Sequence, residues 1–275
     1  MPGHLYVCAT PIGNLDDISV RLGKVLNAVD VVFAEDTRRV RTLLDRVGSL
    51  APATSYFLGN EASRAEELRN RLLDGDSVAL VTDAGTPTIS DPGFSAVRVA
   101  IEAEAEVVPI PGPSAVTAAL AVAHVPTERF VFEGFLPRKG SERQRRIEAI
   151  AREERTVVWF TTANRIATDL HDLANACDVD RQVLIARELT KLYEELWRGS
   201  LAQACAEWSE RDTKGELTVV IEGAPYRQAS MNDALGAVED RIAEGMSMKD
   251  AVSSVAAFLG VGRRELYQRT LSERD

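Results

Sequence analysis

Three loops in this 275-residue chain concentrate the residue types that let a ligand lie directly on the backbone. They read Thr10-Pro-Ile-Gly-Asn-Leu15, Asp83-Ala-Gly-Thr-Pro87 and Pro111-Gly-Pro-Ser-Ala115, and each follows an apolar, strand-like run. Glycine removes the Cβ that would hold a ligand off the main chain. Proline fixes φ and removes an N–H, so such walls carry more carbonyl acceptors than donors. A surface of that kind suits an adenine or a cation better than a polyphosphate, and Asp83 adds negative charge for a cation. Ser114 stands before Ala115-Val-Thr-Ala-Ala-Leu-Ala-Val-Ala, where it is expected to cap a helix whose first N–H groups could hold a carboxylate. No Gly-x-x-x-x-Gly-Lys-Ser/Thr occurs and no Gly-x-Gly-x-x-Gly follows the first strand-like run, so both of these phosphate-binding signatures are absent.

The elements that must position these loops alternate. Leu5–Ala9, Val31–Ala34, Ser77–Thr82, Glu106–Ile110, Thr156–Thr161, Gln182–Ala186 and Leu217–Ile221 read as strands. Ile18–Val29, Thr37–Val47, Ala62–Leu73, Phe94–Ala103, Ala115–Ala123, Glu142–Ala151 and Ile166–Ala176 read as helices. Strands alternating with helices predict an α/β protein with much parallel pairing. In open α/β sheets ligands bind beyond the carboxyl ends of the strands, where all three loops fall, so they are expected to share one cleft.

His124-Val-Pro-Thr-Glu-Arg-Phe130 reads as a linker and Gly223–Tyr226 as a second boundary. Beyond it, Met248–Tyr267 is a helical pattern, a glycine-containing turn and a second, basic helical pattern. That is the outline of a helix-turn-helix or of an αα-hairpin packed on the body. The length fits two domains of ordinary size with a small appendage. Apolar residues make up 45% of the chain, and no apolar run approaches the ~20 residues that span a bilayer. The start, Met-Pro-Gly-His-Leu-Tyr-Val, has no basic segment ahead of a long apolar one, so a cytoplasmic protein is expected. Cys8, Cys177 and Cys205 are odd in number and far apart, and no metal site is expected. A formal charge of −10 argues against a protein that coats nucleic acid indiscriminately, although a local basic face is compatible with it.

The motifs Thr10–Leu15, Ala34-Glu-Asp-Thr-Arg38, Asp83-Ala-Gly-Thr-Pro-Thr-Ile-Ser-Asp-Pro-Gly93, Pro109–Ala115, Glu133-Gly-Phe-Leu-Pro-Arg-Lys139 and Ala186-Arg-Glu-Leu-Thr-Lys191 occur in that order. In them the chain resembles the ribosomal RNA small subunit methyltransferase I family, within the tetrapyrrole-methylase-like, class III S-adenosylmethionine-dependent methyltransferases. The resemblance runs from about Leu5 to Gly223, and the helical tail matches a C-terminal domain of the family. It implies two α/β domains, 1–123 and 124–224, with the cofactor in the cleft between them, and a small helical domain, 225–275. It implies methyl transfer from S-adenosylmethionine to the ribose 2′-hydroxyl of a cytidine in the decoding region of 16S rRNA, on the 30S subunit, by a homodimer. The cofactor is expected against Pro11, then Asp83, Gly85, Thr86, Pro87 and Ile89, then Pro111, Gly112, Pro113, Ser114 and Ala115. From the second domain Phe160, Thr161, Arg187, Leu189, Gly215 and Glu216 are expected. The chemistry of the loops agrees, because a sulfonium is a cation that carbonyls and Asp83 favour, while a helix N-terminus favours the carboxylate of the same molecule.

Two motifs depart from the family. A Glu-Ser-x-His-Arg run is here Thr161-Thr-Ala-Asn-Arg165, and a His-x-His-Asn-Glu pattern is here Phe57-Leu-Gly-Asn-Glu61, so neither histidine can be the base. A ribose hydroxyl is a weak nucleophile that needs a proton acceptor. Asp36 and Glu61, in retained polar motifs, are the expected candidates. Arg138, Lys139, Arg143 and Arg145, with Arg38 and Arg39, are the expected RNA contacts, and Arg263 and Arg264 could add another. Two other functions fit parts of the sequence. One is methylation of a corrinoid or porphyrinoid, and the other is a non-catalytic nucleic-acid-binding regulator that uses Met248–Tyr267.

Overall fold

The alternation of short apolar runs and amphipathic stretches closes into two sheets in the computed structural model, which describes residues 1–225 and 231–272. The first sheet comprises β1 (His4–Cys8), β2 (Val31–Ala34), β3 (Ala53–Ser55), β4 (Ser77–Val81) and β5 (Glu106–Ile110), in the order β3-β2-β4-β1-β5. Every pairing in it is parallel. Successive side chains of a strand point to opposite faces, and the two faces bury different partners. Val31, Phe33, Val78 and Leu80 pack with Leu68 and Leu72 of α3 (Glu61–Leu73) and Ala96 and Ala100 of α4 (Phe94–Glu102). Val32, Ala34, Ala79 and Val81 pack with Leu22 and Leu26 of α1 (Val20–Leu26) and Leu43 and Leu44 of α2 (Thr37–Val47). Burial on both faces explains why these strands are continuous apolar runs.

The second sheet comprises β6 (Phe130–Phe135), β7 (Thr156–Thr162), β8 (Gln182–Arg187), β9 (Glu195–Ser200) and β10 (Glu216–Ile221), in the order β6-β7-β10-β8-β9. Only β6 and β7 run parallel, while β10 is antiparallel to both β7 and β8, and β8 to β9. The parallel pairing expected for much of the protein is found in the first sheet and in one pair of the second. The short connection from β8 to β9 permits a hairpin but not a crossover. One face packs Val157, Trp159, Val183, Ile185, Val219 and Ile221 under α6 (Gly140–Arg152), α7 (Ile166–Ala176) and α8 (Leu201–Trp208). The other face packs Val158, Leu184, Ala186 and Val220 against Val116, Ala119 and Leu120 of α5 (Ala115–Val122). The helix that leaves the first sheet thus covers the second and brings the loop ends of both sheets together.

Residues 1–224 form one compact unit and 225–275 another. In the second, α9 (Met231–Ala243), α10 (Met248–Leu259) and α11 (Arg263–Ser272) bury Leu235, Val238, Val252, Val255 and Leu266. Ser247 caps α10 by accepting from the Asp250 N–H at 3.2 Å. Gly260 ends it with a left-handed φ of 66°, so the glycine-containing turn lies between α10 and α11. Tyr226, at the expected boundary, lies outside the described residues.

Candidate functional site

The loops after β1 and β4 are tied to each other by backbone. Thr10 N–H donates to the Gly85 carbonyl at 2.8 Å, and Gly85 N–H returns a bond to the Thr10 carbonyl at 3.2 Å. The Thr10 hydroxyl also donates to the Thr82 carbonyl at 3.2 Å. Gly85 holds a φ of 83°, a conformation in which a side chain is strained. Because β10 runs against β7 and β8, its first residues meet their last ones: Glu216 pairs with Thr162, and Leu217 with both Thr161 and Arg187. These ends enclose a cavity of about 320 Å³, within the range of small-ligand sites, about 300–1,000 Å³.

Of the residues expected at the cofactor, the cavity wall contains Asp83, Gly85, Thr86 and Ile89 from the loop after β4 and Ser114 and Ala115 from the start of α5. The second sheet contributes Phe160, Thr161, Leu189 and Glu216. The others do not line it. Pro11 and Pro87 are buried, Pro111 and Gly112 are exposed and Pro113 is half-buried. Arg187 donates from Nε to Glu195 Oε2 at 2.9 Å and from Nη1 to the Lys214 carbonyl at 3.3 Å. Gly215 makes room for Glu188, since a Cβ there would lie 2.5 Å from the Glu188 carboxyl carbon. Ser114 occupies the N-cap position of α5, but its side chain makes no capping hydrogen bond. Contrary to the expected cap, it lines the cavity at the mouth of the helix.

Several lining residues lie outside those expected from the sequence: Ile12, Glu35, Asp91, Phe135 and Lys191. Each lies inside a motif already singled out, so the signal was present and only the side-chain direction was missing. Asp83 Oδ1 accepts from the Asp36 N–H at 3.1 Å, and Asp83 Oδ2 pairs with Arg39 Nη1 at 3.0 Å. Lys191 Nζ bridges Glu188 Oε1 at 2.8 Å and Glu216 Oε2 at 2.7 Å. Carboxylates outnumber cations around the cavity, and burial together with nearby Asp83 raises the Glu35 carboxyl above its ordinary range. Burial, with Glu35, Asp83 and Glu216 adding repulsion, pushes Asp91 up to about 7. Thr88 and Ser90 flank Ile89 with φ of 75° and 63°, and Glu188 and Thr190 flank Leu189 with 51° and 65°. Left-handed non-glycine residues are costly and gather where surrounding structure imposes them for function.

The expected bases and RNA contacts are placed differently. Asp36 caps α2, accepting from the Arg38 N–H at 2.8 Å and from Arg38 Nε and Nη2 at 3.1 and 2.8 Å. Those bonds hold its carboxyl well below the usual range. Glu61 Oε1 accepts from the Gly93 N–H at 2.9 Å. Neither carboxylate lines the cavity. Arg39, expected on the RNA face, is part of the cavity wall. Arg38, Arg138, Lys139 and Arg145 are exposed. Arg143 is not available to RNA: its side chain is 8% exposed and binds Asp169 at 2.9 Å and Asp172 at 2.7 Å. The helical period turns it inward beside Ile147 and Ile150 while its neighbours face solvent. Among the described residues no group of three or more His, Cys, Asp or Glu side chains is arranged to hold a metal ion, and no helix is long and apolar enough to cross a membrane.

Residues 4–205 match the family described as Tetrapyrrole (Corrin/Porphyrin) Methylases, and residues 231–274 match the RsmI C-terminal HTH domain. The chain is 41% identical over 275 residues to "Ribosomal RNA small subunit methyltransferase I" of Synechocystis sp., covering 98% of both chains. It is 44% identical over 277 residues to the Mycobacterium tuberculosis protein of the same name, covering 99% of this chain and 96% of that one. Among solved structures, the methyltransferase CobJ superposes with a TM-score of 0.63 at 20% identity over 83% of this chain and 97% of that one. The uroporphyrin-III C-methyl transferase of Thermus thermophilus, complexed with S-adenyl homocysteine, does so with a TM-score of 0.58 at 15% identity over 79% and 97%.

Proposed function

Because this chain belongs to the tetrapyrrole methylases and, within them, to the ribosomal RNA small subunit methyltransferase I family, we propose that it methylates the ribose 2′-hydroxyl of a cytidine in the decoding region of 16S rRNA, on the 30S subunit. It is a methyltransferase, and its donor is S-adenosylmethionine. The observation that carries the reading is the cavity at the joined loop ends, whose chemistry has a place for each part of that donor. Glu35 and Asp83 favour a sulfonium. The uncapped first turn of α5, with Ser114 and Ala115, offers N–H groups to a carboxylate. Ile12, Phe160 and Leu189 supply apolar surface for a planar base. Bound there, the donor supplies an electrophilic methyl group, and the chain's part is to orient the acceptor oxygen toward it and remove water.

The exposed Arg138, Lys139 and Arg145, with Arg38, are proposed to hold the phosphates of the substrate, and the basic start of α11 to contribute Arg263 and Arg264. Residues 1–123 are proposed to act as the domain that presents the donor loops, 124–224 as the domain that closes the cleft, and 225–275 as an RNA-binding appendage. A cytoplasmic homodimer is proposed, and a second copy has apolar side chains to cover at Phe57, Leu58 and Phe94, which are 44%, 78% and 74% exposed. Light scattering on the purified protein measures that state. The catalytic reading is tested with labelled donor and 30S subunits from cells lacking the enzyme, with any label mapped by nuclease digestion. Label on one cytidine ribose supports it. Label on uroporphyrinogen and none on RNA sinks it.

A further inference from the structure

Five carboxylates line the cavity: Glu35, Asp83, Asp91, Glu188 and Glu216. Four are engaged. Asp83 holds Arg39 and the Asp36 N–H, Glu35 Oε2 accepts from the Asp83 N–H at 3.5 Å, and Glu188 and Glu216 share Lys191. Asp91 has no hydrogen-bond or ion-pair partner among the described residues. Its backbone is nonetheless well held. Thr88 N–H donates to the Pro92 carbonyl at 3.3 Å, Ser90 is fixed in the left-handed region, and Gly93 N–H is bound by Glu61. The carboxylate is thus positioned by its frame and left open toward the cavity.

We infer that Asp91 is the general base of the reaction, accepting the proton of the attacking hydroxyl while Glu61 positions the loop that carries it. This rests on the reading of the site as a methyltransferase centre. In the step, the acceptor oxygen forms a bond to the methyl carbon as the carbon–sulfur bond breaks. The electron pair of that bond stays on sulfur, and the hydroxyl proton passes to Asp91, which later returns it to water. The sulfonium's positive charge and the carboxylate's negative charge are lost together, so no further reactant is needed.

The groups around Asp91 suit the task. Glu35 beyond β2, Asp83 beyond β4 and Glu216 at the start of β10 repel a charge on it, while the cations lining the cavity, Arg39 and Lys191, are already paired with other acids. A base is most effective when its proton affinity is as high as it can be while remaining ionised at working pH, and an acid with a midpoint of about 7 meets that condition. Asp36, chelated by Arg38, fails it.

The test uses the full chain with 30S subunits in single-turnover methylation across the neutral pH range. Asp91→Asn and Asp91→Glu are compared with the native chain, and S-adenosylhomocysteine binding is measured by calorimetry on each. The Asn variant is expected to bind the product analogue normally, to lose a factor of about 10² or more in rate, and to lose the acid limb of the pH profile. The Glu variant is expected to regain part of the rate with a displaced limb. Carboxyl NMR of the native chain should show Asp91 titrating well above ordinary aspartate. An Asn variant with native rate and pH limb, while the native chain labels the ribose, overturns the role of Asp91 and leaves the reaction standing. A native chain that binds donor but labels no RNA overturns both.

Discussion

Replacing Arg143 by methionine should destabilise the protein without altering how its binding to RNA depends on salt. Arg143 is 8% exposed and donates to Asp169, which is 1% exposed, to Asp172, which is 36% exposed, and to the Pro137 carbonyl. The variant keeps most of the side-chain volume but leaves Asp169 in the interior with the Thr161 hydroxyl at 2.6 Å and Arg165 only at 3.7 Å. Removing one member of a buried pair costs about 3–5 kcal/mol, because the remaining charge is stranded. The Asp172 share is small, since that carboxylate reaches solvent. Arg165 can approach Asp169, which sets the expected loss near the lower end, about 3 kcal/mol. For a body of this size each kcal/mol lowers Tm by about 2–4 °C, so calorimetry should show a drop of roughly 6–12 °C. Adding Asp169→Asn should recover part of it by removing the stranded charge. A drop below about 2 °C, or a flatter salt dependence of RNA binding in the folded variant, would refute the assignment of Arg143 as an internal strut.

Charge reversal at the exposed Arg138 and Arg145 should have the opposite signature. Melting should be nearly unchanged, and the logarithmic salt slope of RNA binding should fall by about one for each lost phosphate contact. Asp91→Asn should raise Tm at alkaline pH and bring little gain at acid pH. The folded pKa of Asp91 is raised to about 7 from 3.8, so the native chain binds more protons than the unfolded one between those values and loses stability as pH rises through them. Melting curves from acid to alkaline pH check this, and a constant offset would contradict it. Gly215→Ala should weaken S-adenosylhomocysteine binding in calorimetry. It imposes a φ of 97° on alanine and pushes on the Glu188 carboxyl that accepts from Lys191 Nζ and from the Glu216 N–H. The backbone strain alone should cost about 1–2 kcal/mol.

The fold class and the loops of the site were legible in the order of residues alone. Short apolar runs bounded by polar residues, as Val31–Ala34 between Asp30 and Glu35 and Val78–Val81 between Ser77 and Thr82, have few alternatives to buried strands, and parallel strands place their following loops on one edge. The elements that escaped it lack that contrast. β3 is a three-residue edge strand, β6 begins in a segment that reads as a linker, and β9 carries Glu195 and Arg198 among its pairing residues. The direction of β10 was equally hidden, because a strand's composition does not record which way its neighbour runs. Side-chain commitment was decided only in three dimensions. Asp36, Glu61 and Arg143 look as available in the sequence as Asp91 does. Arg38, the Gly93 N–H and Asp169 occupy the first three, and no local pattern announces those partners. A carboxylate's proton affinity depends on which charges the fold brings beside it and how much water it excludes, so the motifs marked the site while packing selected the acid left open within it.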